Sequence, residues 1–348
     1  MKISIGSKIK TGPWGGGNLF VINLKEYLES QHHEVVFDLN DDDIDVILLT
    51  DPRIVSESSS FDYIDVMLYK KLVNPNPKIF HRINECDERK NTKNLNKFML
   101  KANRVADYTI FVSSWIRNLY LKLGHTEPSS VIMSGSNTKI FNRNDLNIWN
   151  KNEKFKIVTH HWGSNWNKGF EAYKKIDELM EESFWSQKIE FSYIGNLPRG
   201  FYFKNSKHIK PLSGIELSKE LKKNNIYITG SLNEPSGNHH IEASQCGLPI
   251  LYINSGGVTE YCNGYGVEFN IDNLEEKLNY ALTNYEQLFE KMKSYPQNHK
   301  KMCQEYLALF INIKSDKHLK IKNKFFKIIF YIIYNIKRKI KAFIFNEK

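Results

Sequence analysis

Short apolar runs alternate with stretches of helical period from the first residues onward, the pattern of parallel α/β layers. Lys2 to Ile5 predicts a first strand. It leads through the glycine-rich run Thr11 to Gly17 into a helix from about Asn18 to Ser30, whose Val21, Leu24 and Leu28 share a face. Glu34 to Asp38, Ile44 to Leu49, Ile79 to Ile83, Tyr108 to Val112 and Val131 to Met133 continue the strands of a first lobe. The pattern restarts with a strand at Lys156 to Thr159, a helix from Gly169 to Glu182 and a strand at Ile189 to Ile194. A short strand near Ile209, a helix near Leu217, strands at Ile226 to Thr229 and Pro249 to Ile253, and one long helix from Leu274 to Met292 complete a second lobe. Two such α/β units predict two Rossmann-like domains facing a central cleft, with ligands outside the carboxyl ends of the strands.

Between the lobes, residues 142–154 hold five asparagines and no strong period, as a linker does. The expected division is 1–145, 146–312 and a tail, 313–348. A length of 348 residues with 41% hydrophobic side chains suits two ordinary domains with real cores. Charge changes the picture more than composition does. Of the net +10, residues 314–348 carry +9, so the body is nearly neutral and its pI does not mark it as a nucleic-acid binder. The cysteines (Cys86, Cys246, Cys262 and Cys303) are scattered without metal-ligand spacing and read as reduced thiols of a cytosolic protein. The N-terminus begins a strand directly, without the apolar run of a signal peptide.

Candidate chemistry gathers in Ser231 to Ile250. Glu234 follows the strand Ile226 to Thr229, and Glu242 lies one turn into a short helix expected from Asn238 to Cys246. Peptide N–H groups of Ser236, Gly237 and Asn238 point out of that helix start, a ready place for an anion. One carboxylate suits sugar hydroxyls, the helix start a diphosphate, and the second carboxylate a ribose; an ordinary βα turn with a solvated glutamate is the plainer alternative. Gly15, Gly16 and Gly17 form an expected loop between the first strand and helix, where backbone amides approach phosphate; a plain tight turn is the alternative. Lys168–Gly169 recurs at the matching junction of the second lobe, as a diphosphate partner or an exposed lysine. His81 ends a first-lobe strand and either meets a sugar or bonds a neighbouring loop. His160, His161, Trp162 and Trp166 read as cleft lining, as do His239 and His240, since no third ligand stands at a zinc-like spacing. Ser113 and Ser114 read as helix caps.

Taken together, these positions resemble the GT-B glycosyltransferases of family 4, the glycosyltransferase group 1 family, over about residues 1–290. The specific part is Glu234-Pro-Ser-Gly-Asn-His-His-Ile-Glu242-Ala, similar to that family's pair of glutamates separated by seven residues. Gly15 to Gly17, Ala106 to Ser113 and Val131 to Phe141 are weaker matches, the last with Ser134 where asparagine is usual. The resemblance implies retaining, metal-independent transfer from a UDP- or GDP-sugar without a further cofactor. Residues 1–145 would then form the acceptor side and 146–312 the nucleotide-sugar side. By the same resemblance Glu242 binds ribose and Glu234 the donor sugar. Lys168, Gly16 and Gly17 stabilise the leaving diphosphate, and His81 lies near the sugar. One departure stands out: the family's arginine before the lysine is replaced by Trp162 or Gly163. Ser164, Asn165 or His161 would compensate by hydrogen bonding, or Arg82 from across the cleft.

In the tail, Lys317, Lys320, Lys324, Lys327, Tyr331, Tyr334, Arg338 and Lys341 share one helical face, and Ile321, Phe325, Ile328, Ile332, Ile336, Ile340 and Phe343 another. The charge density favours a helix lying on an anionic membrane surface over one packed on the protein. The expectation is therefore a cytoplasmic enzyme, peripheral on the membrane, with a glycan or lipid-linked acceptor in envelope polysaccharide or glycolipid synthesis. A sugar-nucleotide epimerase or phosphorylase, and a non-catalytic nucleotide- or glycan-binding protein, are the alternatives.

Overall fold

The computed structural model describes residues 1–10, 12, 15–313 and 324–345. The first domain holds a parallel sheet of β1 (Lys2–Ile5), β2 (Glu34–Val36), β3 (Val46–Leu49), β4 (Lys78–Ile83), β5 (Tyr108–Phe111) and β6 (Ser129–Val131). Its order is β2-β1-β3-β4-β5-β6. The second holds β7 (Phe155–His161), β8 (Ile189–Gly195), β9 (Lys207–Ile209), β10 (Ile226–Thr229), β11 (Ile250–Ile253) and β12 (Gly266–Phe269). Its order is β12-β11-β10-β7-β8-β9. Runs such as Val46–Leu49 and Ile226–Thr229 are buried at every position, because helices cover both faces of each sheet.

Both orders reverse direction beside their first strand. The reversal lies between β1 and β3 in the first domain and between β7 and β10 in the second, and crevices open at the carboxyl ends of such strands. The two Rossmann-like domains set these ends toward each other. Val131 to Met133 is shifted in the structure to β6, and β12 is a strand that the periodicity does not mark. The expected helix Leu274 to Met292 is two helices, Leu274–Thr283 and Tyr285–Lys291, meeting at Asn284.

A return helix, His299–Asn312, crosses back to the first domain. Its Met302, Cys303, Tyr306 and Phe310 pack in one core with Phe20, Leu24, Leu48 and Phe80, although the sequence pattern groups it with the second lobe. Across the domain junction, Glu260 accepts from the backbone N–H groups of Ser114 and Trp115 at 2.8 and 2.6 Å, at the start of the helix Ser114–Lys122. Ser113 caps that helix as the sequence predicts. Tyr261 donates to the Val112 carbonyl at 2.5 Å and accepts from Ser134 N–H at 2.9 Å.

The tail helix, Lys324–Ile344, corrects an expectation. Its Phe330 and Tyr334 are buried in the first domain's core beside Leu39, Ile47 and Tyr69. Lys337 bonds Asp62 at 2.5 Å and Asp65 at 2.8 Å, Lys341 lies 3.5 Å from Asp62, and Lys327 lies 2.8 Å from Asp42. The basic face is thus the packed face, and its charge meets acids of the protein. The outward face is apolar, with Phe325, Ile328, Ile332, Ile336, Ile340 and Phe343 exposed. Lys317, Lys320 and Ile321 of the predicted faces lie outside the described residues. No helix among the described residues is long and apolar enough to cross a membrane.

Candidate active site

The facing strand ends enclose a cavity of about 820 Å³ lined by both domains. From the first domain come Gly16 and Gly17, the segment after β3 and the segment after β4, and from the second come Asn165, Lys168, Glu234, Ser236, Gly237, Asn238 and Glu242. Gly16 and Gly17 are not a free loop but the first turn of the helix Gly16–Ser30, with Gly15 at its cap position. The motif helix, Asn238–Gln245, starts opposite. The two starts meet closely: a Cβ on Gly16 would lie 2.6 Å from Asn238 Cγ. Neither has a capping side chain, since Gly15 and Gly237 occupy the cap positions, so first-turn amides face the cleft without that competitor. Gly237 is required there. Its φ is +76°, and a Cβ would fall within 2.7 Å of His240 and 2.8 Å of His239.

Glu234 is 5% exposed and is held from two sides. Lys168, ending the 3₁₀ turn Trp166–Lys168, bonds its Oε2. From the first domain, Arg89 Nε stands 2.9 Å from its Oε1. Burial alone would push this carboxyl up, but the Lys168 and Arg89 charges outweigh it and hold it down at about 2. A carboxylate so strongly acidic is a poor proton acceptor and a good acceptor of hydroxyl hydrogen bonds. Glu242 lies deeper along the motif helix, its Oε2 3.0 Å from His160 Nε2. The Glu234 backbone is fixed as well: its carbonyl accepts from Gly257 N–H at 2.8 Å, and a Cβ on Gly256 would meet its main chain at 2.5 Å.

The histidines support this wall without charging it. His161 bonds Tyr173 Oη at 2.7 Å, and His239 bonds Thr229 Oγ1 at 2.9 Å. Burial holds both rings well below the ordinary histidine range and His240 down at about 3, so all three are neutral near pH 7. No group of three or more His, Cys, Asp or Glu side chains among the described residues is placed to hold a metal.

The structure does not bring His81 to the cavity. Side chains alternate along β4: Arg82 faces the cleft, while the His81 ring turns inward to bond Asn103 at 2.8 Å, with burial lowering it to about 4. Asn165 lines the cavity, and its side chain accepts from Asn167 N–H at 2.9 Å, shaping the turn that presents Lys168. Ser164 and His161 line it too, with the His161 ring bonded to Tyr173. Arg82, weighed as a replacement cation, lies over the Phe20 ring at 4.2 Å. The guanidinium that reaches Glu234 of the second domain is Arg89, in Asp87-Glu-Arg-Lys90, a segment that the sequence reading does not single out. Its position after the carboxyl end of β4 was the available signal.

Residues 203–302, within the second domain, match the family described as glycosyl transferases group 1. Among curated proteins, none matches the chain in sequence. Solved structures match across almost its whole length. Sucrose-phosphate synthase from Thermosynechococcus elongatus is 15% identical, with a TM-score of 0.62 over 90% of this chain and 98% of that one. A glycosyltransferase from Rickettsia africae is 13% identical, with a TM-score of 0.66 over 91% and 99%. Anabaena Alr3699/HepE in complex with UDP and glucose is 13% identical, with a TM-score of 0.64 over 90% and 99%. At these identities the likeness is one of fold: the chain has the two-domain GT-B architecture of glycosyltransferases, and its second domain carries a segment similar to glycosyl transferases group 1.

Proposed function

We propose that this chain is a family 4 glycosyltransferase that moves a sugar, with retention and without a catalytic metal, from a UDP- or GDP-sugar to a glycan or lipid-linked acceptor. The observation that carries the proposal is the convergence of Lys168, two uncapped helix starts, Glu234 and Glu242 on one cavity at the facing strand ends. The Anabaena neighbour, crystallised with UDP and glucose, supports a sugar-nucleotide as the ligand class.

In the proposed reaction the bond from the anomeric carbon to the diphosphate oxygen breaks, and the acceptor hydroxyl oxygen bonds that carbon in its place. The hydroxyl proton passes to the departing diphosphate. Positive charge develops on the sugar ring and negative charge on the leaving group. Lys168 and the helix-start amides oppose the negative charge, which is stronger in the transition state than in the bound donor. Glu234, held ionised, accepts from sugar hydroxyls; Glu242 accepts from the ribose. Envelope polysaccharide or glycolipid synthesis at the cytoplasmic membrane face is the setting we propose, on the outward apolar stripe of the tail helix.

The test is turnover of a panel of UDP-, GDP- and ADP-sugars, followed as release of free nucleoside diphosphate. Wild type is expected to consume one donor and Glu242→Ala to lose about tenfold or more in donor affinity through the ribose hydrogen bonds. Binding without turnover with any acceptor would leave a binding protein, and interconversion of the sugar-nucleotide without release would indicate an epimerase.

A further inference from the structure

We infer that Arg89 is a donor-binding residue of this cleft, supplying from the first domain a positive charge to the diphosphate that Lys168 meets from the second. The inference rests on the sugar-nucleotide reading of the cavity and adds a residue that the reading does not contain.

Arg89 sits on the short helix Asp87–Lys90, beyond the carboxyl end of β4. Its Nη1 bonds Glu85 Oε1 at 2.5 Å, and its Nε faces Glu234 Oε1 at 2.9 Å. Lys168 holds the other oxygen of the same carboxylate. Two cations from different domains therefore converge on one nearly buried acid, inside the cavity that both of them line. With Glu85 included, the group carries two positive and two negative charges and is balanced as it stands. A diphosphate entering beside it brings further negative charge and many acceptor oxygens. A guanidinium has five N–H donors in a rigid fork, more than the two acids engage, and the fork matches phosphate oxygens.

Other first-domain cations that line the cavity are committed differently, Lys10 for one lying 3.2 Å from Glu57. Arg53 is paired with Asp51 through Nε at 2.8 Å and Nη2 at 2.7 Å, and Arg82 lies over Phe20. Lys90 is 3.6 Å from Glu85 and half exposed. Arg89 is the cation that already bridges the domains at the carboxylate facing the donor sugar. Because it belongs to the first domain, its contact with the diphosphate exists only while the domains are together. Leaving-group stabilisation is thereby tied to closure, when water is excluded.

The experiment compares UDP with UMP by calorimetric titration of the full chain, with the GDP/GMP and ADP/AMP pairs run alongside. The pair used is the one that wild type binds. If Arg89 meets the diphosphate, Arg89→Ala lowers the preference for diphosphate over monophosphate about ten- to a hundredfold, the effect of losing a charged hydrogen-bond donor. Affinity for the monophosphate stays within about twofold, as it lacks the second phosphate. Arg89→Lys, which keeps the charge and loses the fork, falls between them and guards against a folding defect in the alanine variant. An unchanged preference, or an equal loss for both nucleotides, overturns the inference and leaves Arg89 as a support for Glu234 and Glu85. Failure of wild type to bind any of the six nucleotides defeats the underlying sugar-nucleotide reading instead.

Discussion

Glu234 and Glu242 lie on the same wall of the cleft, but their neighbours divide their roles. Glu234 faces Lys168 and Arg89, while Glu242 faces the imidazole ring of His160. Replacing Glu234 with glutamine keeps most of the volume and removes the charge that neutralises the two cations. In the proposed enzyme this separates two quantities that usually fall together. Glu234→Gln is expected to bind nucleoside diphosphate more tightly, by on the order of 1 kcal/mol or about fivefold, as two cations lose their internal partner. Its transfer rate is expected to fall tenfold or more, since an amide orients sugar hydroxyls less well than a carboxylate. Titration with UDP or GDP beside steady-state turnover checks both; a parallel loss of binding and rate would contradict the charge assignment. Glu234, Gly237 and Glu242 are legible in the sequence because they stand at short spacing beside a strand end, and Lys168 because it precedes a helix at a strand-to-helix junction. Arg89 is not, because its partner is far away in the chain and its local sequence resembles any exposed helical turn. His81 fails for a different reason: at a strand end one residue decides between cleft and core, and Arg82 took the cleft.

At the scale of elements, the tail helix shows what periodicity supplies and withholds. Its two faces are legible as a charged stripe and an apolar stripe. Which one meets the protein depends on Asp62 and Asp65, the reciprocal capping pair at the start of the helix Tyr63–Leu72. Asp62 is fully buried, and its second oxygen is bonded by Lys337. Removing that lysine leaves a buried acid pair with Lys341 alone at 3.5 Å. Lys337→Ala is expected to lower stability by roughly 1–3 kcal/mol, read from urea denaturation, the cost of stripping a partner from a buried charge. The opposite face predicts a different outcome. Ile332→Asp with Ile336→Asp touches exposed positions and is expected to leave stability within about 0.5 kcal/mol. The same double variant should lose co-sedimentation with vesicles containing anionic lipid, because an apolar helix face is what enters the headgroup boundary. Unchanged sedimentation would leave the stripe without a membrane role.

For the molecule as a whole, the alternation of strands and helices was enough to read two parallel α/β domains, whereas the junction between them was not readable. Glu260 and Tyr261 join the second domain to Ser114, Trp115, Val112 and Ser134 of the first, through backbone groups that no residue pattern marks. Both domains nevertheless share one sensitivity that follows from burial. His81 in the first is held at about 4 and His240 in the second at about 3, each fully buried and uncharged in the folded chain. In the unfolded chain these rings take up protons near 6.5, the ordinary histidine value. The unfolded state thus binds more protons below that pH, and stability, complete above 6.5, declines as pH falls toward the folded values. Each ring contributes about 1.4 kcal/mol of loss between pH 7.5 and 5.5. Glu234 acts in the same direction at lower pH: held at about 2 against 4.5, its contribution is present above 4.5 and disappears as pH falls through 2. Urea denaturation at pH 7.5 and 5.5 should therefore show a loss of at least roughly 2–3 kcal/mol, the share of His81 and His240 alone, with the buried rings of His161 and His239 adding to it in the same direction. His240→Gln should flatten part of that slope in the second domain and leave the part due to His81. A stability that does not change across this interval would mean that these rings take up protons within the folded protein.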